Sequence, residues 1–269
     1  MTPGLRFMST ISLKYAILTA NGTMKSPHLS HVLIAALTFV IPTAIYAQDA
    51  NYELTFEARW VAPAPLPATA HFTQIIGATH NSARSLYTVG GQASPGVEDV
   101  AERGVTANLI SEVDAGIALG TVESAIFGTD TFITPLEVNT FNFSVSASHS
   151  NFTFLTMIAP SPDWFVGVND LNLLDANDNW RDSIVLDLVS YDAGTENGTG
   201  LSLNNPATNP QGVITELDIA EPNGALFGVG SIARLTLTRS IPEPGSASTL
   251  LAVGLLGLTQ RQRRRQRRS

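Results

Sequence analysis

Three carboxylates stand in turns whose chemistry suits a hard cation. Asp163 follows Ala159-Pro160-Ser161-Pro162 and precedes the apolar run Trp164-Phe165-Val166. The flanking prolines stiffen that loop and leave the acid at the mouth of a strand. Asp192 and Glu196 are four apart in Tyr191-Asp192-Ala193-Gly194-Thr195-Glu196, where a glycine-bearing turn can curl both carboxylates toward one point. Oxygen ligands of this kind, drawn from two loops at one end of a fold, are what calcium takes. Taken singly, an aspartate in a Pro- or Gly-rich loop is most often a turn former, so the signal lies in the three positions together.

Other candidate chemistry is weaker. Asp175-Ala176-Asn177-Asp178-Asn179 opens like an EF-hand loop, but Trp180 replaces the required glycine and Leu186 stands where a bidentate glutamate belongs. It reads as a hairpin turn, with the carboxylates of Asp175, Asp178 and Asp182 in solvent. Ser161, His80 and several acids are raw material for an exported hydrolase. Yet there is no Gly-x-Ser-x-Gly elbow and no His-Glu-x-x-His helix, and His71, His80 and His149 lack metal-ligand spacing. Nothing separates a glycosidase acid from a base. We therefore expect no enzyme. A hydrolase or a calcium-bridged lectin stand as the alternatives. Trp164 and Trp180 read as core or loop packing, and His80 as a local hydrogen-bonding residue.

The elements that must hold these residues lie between two segments of different composition. Lys25, the apolar stretch Val32–Ile41, Pro42 and the small-residue site Ala44-Ile45-Tyr46-Ala47 have the pattern of a secretory signal peptide. Residues 1–47 are thus an N-terminal extension and leader, and Met24 makes a better start than Met1. At the other end, Ile241-Pro242-Glu243-Pro244-Gly245 is followed by an uncharged run to Leu258 and then by six arginines within eight residues. Ser246–Thr259 would make about 21 Å of helix, short of the ~30 Å hydrocarbon core, although arginines can snorkel to extend the span. A cationic cluster behind an apolar segment stays on the cytoplasmic side during export. The tail resembles the bacterial PEP-CTERM sorting signal. That resemblance implies processing over 241–269 by an exosortase-type enzyme, membrane contact only through this transient segment, and a cell-surface or extracellular destination.

Residues 48–240 remain as one domain. They hold six basic and twenty-two acidic side chains, a net charge of −16. A surface of that sign repels nucleic acid and anionic headgroups and favours divalent cations. With no cysteine in the chain, neither disulfides nor thiolate chemistry is available. Period-two alternation predicts strands over Tyr52–Trp60 and Thr140–Ser146, and Asn151–Ile158 starts alternating and ends as a continuous apolar run. Trp164–Val168, Ser183–Leu188 and Ile232–Thr238 are further strand candidates, separated by turn clusters at Ala62–Pro67, Gly90–Gly96, Asp175–Asn179 and Asn204–Gln211. One helix is expected over Glu98–Leu109, with Val100, Val105 and Leu109 on one face and Gly104 weakening it. The fold class is all-β, an antiparallel sandwich with at most one or two short helices.

Several blocks then resemble the spondin domain, the N-terminal module of F-spondin and mindin, in the family's order. They are Tyr52–Trp60, Ile76-Gly77-Ala78-Thr79-His80-Asn81, Ala93-Ser94-Pro95-Gly96-Val97, Ala101-Glu102-Arg103-Gly104, Pro160–Gly167 and Tyr191–Thr195. The resemblance implies a sandwich similar to a C2 domain with one calcium ion at loops on one end. Motif to motif, the family's ligating carboxylates fall on Asp163, Asp192 and Glu196, the last one methylene longer than the family's usual aspartate. It also implies a non-enzymatic adhesion or matrix role, with extracellular polysaccharide or a matrix protein as partner.

Overall fold

Alternation along the first strand sets the pattern for half the molecule. In β1 (Ala50–Ala58), Tyr52, Leu54 and Phe56 are buried while Asn51 and Glu53 face solvent, because one side of the strand meets the core and the other meets water. The computed structural model describes residues 49–62, 64–217, 224–227 and 230–240. The leader expected over 1–47 and the tail expected over 241–269 lie outside the described residues. Among those described, no helix is long and apolar enough to cross a membrane.

The chain continues through β2 (His71–Thr73), β3 (Ile76–His80), helices α1 (Pro95–Arg103) and α2 (Ala107–Ala118), β4 (Val122–Phe127), β5 (Phe132–Ile133), β6 (Val138–Val145), β7 (Asn151–Ala159), β8 (Trp164–Asn172), β9 (Ser183–Asp187), β10 (Val189–Asp192), β11 (Thr215–Glu216), the single turn α3 (Gly224–Phe227) and β12 (Ala233–Ser240). One sheet has the order β6-β1-β12-β9. The other runs β11-β10-β8-β7, and beyond β7 two strand pairs adjoin it at different stretches, β3 with β4 along Asn151–Leu155 and β2 with β5 at Ile158–Ala159. All the pairings are antiparallel. This is the expected all-β sandwich.

Its core is aromatic. Phe56 meets Phe72 edge-on at 5.2 Å and Phe154 at 6.4 Å, joining the two sheets. Trp164 and Trp180 are both buried in this core, as packing residues.

The helices add a third layer. Val97, Val100, Leu109 and Val113 pack with Ile76, Leu155, Phe165 and Tyr191 in a second core on the outer face of the larger sheet. That cover explains why alternation fades along β7: both of its faces are buried. The single helix expected over Glu98–Leu109 is in fact two. Gly104 closes α1 in the left-handed region at φ 66°, where a Cβ would also sit 2.5 Å from the Thr73 methyl. Val105 then falls in the linker and is exposed, not on a helix face. A second helix follows whose buried residues Leu109, Val113 and Gly116 recur at helical spacing.

Candidate metal centre

Two chain crossings bring the acidic loops together. β7 ends at Ala159 and β8 begins at Trp164, with the turn held by Ser161, whose Oγ accepts from the Trp164 N–H at 3.1 Å. Ser161 is therefore a buried turn residue. Between β9 and β10 the chain passes from one sheet to the other at Leu188, and β10 then pairs with β8 so that Asp192 lies opposite Trp164.

Asp163 is fully buried. Its Oδ2 accepts from the backbone N–H of Thr195 (2.6 Å) and Glu196 (3.0 Å) and from the Thr195 hydroxyl (3.2 Å). Its Oδ1 is buried with no hydrogen-bond partner. Asp192 uses Oδ1 to accept from the Gly194 N–H (2.7 Å) and Oδ2 to accept from the Trp164 indole N–H (3.2 Å). Gly194, at φ 74°, makes the tight turn that aims these donors back at the two aspartates. Burial pushes the Asp192 carboxyl above its ordinary range, and the Asp163 charge adds to the rise.

Glu196 sits at the rim. Its carboxyl is also pushed up, first by burial and then by Asp163, while a hydrogen bond from Asn205 (3.4 Å) and the charge of Arg103 pull the other way. The structure thus brings Asp163 and Asp192 together and leaves Glu196 beside them, with an oxygen turned to Asn205. Among the described residues, no three His, Cys, Asp or Glu side chains are already gathered in the geometry of a metal cage.

The residue that sequence reasoning passed over is Glu102 on α1. Its side chain is only a tenth exposed, and it shares the Thr195 hydroxyl with Asp163. Burial raises its carboxyl, as do the charges of Glu196, Glu98 and Asp163. Glu102 stands about sixty residues before Asp163 on a helix, so nothing in local spacing marks it.

The residues fit a hard divalent cation. A buried carboxylate oxygen without a donor is costly, and like charges at low dielectric raise the cost further. Calcium is held by six to eight oxygens, several of which can be carbonyls or water, so a buried and a half-buried carboxylate can serve as its nucleus.

The remaining sequence candidates lie elsewhere. His80 is fully buried and hydrogen-bonds both to its neighbour and across the sheet, with Nδ1 3.0 Å from the Asn81 carbonyl and Nε2 2.8 Å from the Thr153 hydroxyl on β7. The Asp175 carboxylate accepts from the N–H groups of Asn177 and Asn179 in its own exposed turn, and Asp182 pairs with Arg239 at 2.6 Å.

The Spondin_N family model matches residues 50–226, and the chain belongs to that family. It is 36% identical to spondin-2 of Homo sapiens over 210 residues, covering 72% of this chain and 63% of that protein. It is 34% identical to spondin-2 of Rattus norvegicus over the same length. Identity to spondin-1 of Gallus gallus is 34% over 206 residues, 71% of this chain and 25% of that protein. The chain therefore spans less than two thirds of spondin-2 and a quarter of spondin-1.

Proposed function

We propose that this is an exported bacterial surface or matrix protein, non-enzymatic, whose spondin domain binds calcium at the Asp163–Asp192 tip and mediates adhesion or matrix assembly. The observation that carries the metal reading is the Asp163 Oδ1, fully buried and without a donor, beside the half-buried Asp192 carboxylate, whose pKa Asp163 raises. Calcium supplies charge neutralisation and a rigid oxygen scaffold. Asp163 and Asp192 would hold it, with Glu196 within reach from the rim. This chain's own part is to fix the loops: Thr195 and Gly194 lock the second loop onto the aspartates of both. Extracellular calcium modules have dissociation constants of about 10⁻⁴–10⁻³ M, suited to an ion abundant outside cells. Family membership and the leader and tail patterns support the extracellular setting, and the net charge of −16 over residues 48–240 argues against nucleic acid as partner.

Binding of the secreted protein to extracellular polysaccharide or matrix from the producing cells tests the role. Adhesion should fall on chelation and in Asp192→Ala. Adhesion indifferent to both, or substrate turnover abolished by a carboxylate substitution, would overturn the reading in favour of another partner site or a hydrolase.

A further inference from the structure

We propose that Glu102 is a further carboxylate of the cation site, supplied by α1, so that calcium ties the helical layer to the two loops. The inference rests on the calcium reading above. Three observations point to Glu102. Its side chain is a tenth exposed although it carries a charge. The Thr195 hydroxyl lies between it and Asp163. A hydroxyl has one proton, so it can satisfy only one of the two carboxylates at a time. Finally, the buried Asp163 Oδ1 has no donor at all. Acceptors therefore outnumber donors at the point where helix and loops meet, and a cation corrects that imbalance where another hydroxyl would not.

Arg103 is the nearby cation, 3.1 Å from Glu102 and also paired with Asp99 on the same helix. Its side chain is 54% exposed, so the pair is screened by water and holds Glu102 only weakly. Arg103 keeps Asp99 as a partner if Glu102 turns to the metal. Gly104, packed against Thr73, fixes the end of α1 and hence the position from which Glu102 reaches the site.

The experiment is calcium titrated into the protein with the thermal midpoint as readout, comparing wild type, Glu102→Gln and Glu98→Gln. Glu98 lies one turn earlier on α1 and also raises the Glu102 pKa, so it controls for loss of charge alone. In Glu102→Gln the half-saturating calcium concentration should rise by about tenfold or more, in the range seen when a residue tied into a metal site is removed. In Glu98→Gln it should stay within about twofold, since a charge one turn away acts only through a screened field. A calcium-free midpoint in Glu102→Gln equal to or above wild type establishes that the variant is folded. If wild type responds and Glu102→Gln responds at the same calcium concentration, or if Glu98→Gln weakens binding equally, the role of Glu102 is overturned while the loop site stands. If wild type does not respond, both fall.

Discussion

One oxygen of Asp163 accepts three hydrogen bonds while the other, equally buried, accepts none. An unsatisfied buried acceptor costs about 1–3 kcal/mol, more when charged, so the loops around it are held in place at a cost that a cation would remove. Tyr52 shows the opposite condition, a buried polar group with its partner in place. Its hydroxyl donates to the Arg181 carbonyl at 2.6 Å, and burial above all pushes its pKa from 10 up to about 12. A raised folded pKa contributes stability that is fully present below the unfolded value and lost as pH rises through the folded one. Stability should therefore fall as pH climbs from 10 toward 12, the window set by Tyr52. In Tyr52→Phe, chemical denaturation should show a loss of about 0.5–1.5 kcal/mol at neutral pH and a shallower decline above pH 10. An equally steep decline would remove Tyr52 as its source.

Helix α1 carries Glu102, and Glu112 joins α2 to it. From α2 its carboxylate accepts from the Ser94 hydroxyl (2.7 Å) and the Gly96 N–H (2.8 Å), capping the start of α1 together with Ser94 itself. Glu112→Ala should cost about 1–2 kcal/mol by loss of this cap, read as a lower denaturation midpoint. A change under about 0.3 kcal/mol would show that the Ser94 cap alone suffices.

What was legible in the chain follows the same physics. β1 and β6 were readable because one face of each meets water, which writes alternation into Tyr52–Phe56 and Phe141–Val145. β3 was not, because Ile76–His80 is buried on both faces and carries no alternation. β2, β5, β10 and β11 are only two to four residues long, too short for any period to register. The Asp163 and Asp192 loops were legible because each sits beside proline or glycine. Glu102 was not, because its role depends on the packing of α1 against the sheet.

Across the whole molecule, twenty-two acids against six bases over residues 48–240 mean self-repulsion that any added salt will screen. A calcium effect must therefore be separated from ionic strength. The acidic tip is one end of a sandwich whose sheets meet through Phe56, Phe72 and Phe154, so fixing the loops stabilises a fold that already has its core. Binding to the folded state alone at a hundredfold excess over Kd is worth about 2.7 kcal/mol, and a domain of this size moves about 2–4 °C per kcal/mol. The deciding measurement is the thermal midpoint during calcium titration at constant ionic strength, in wild type and in Asp163→Asn. The midpoint should rise by about 5–11 °C in wild type and stay level in Asp163→Asn. No rise in wild type, or an equal rise in both, would contradict a calcium site built on Asp163.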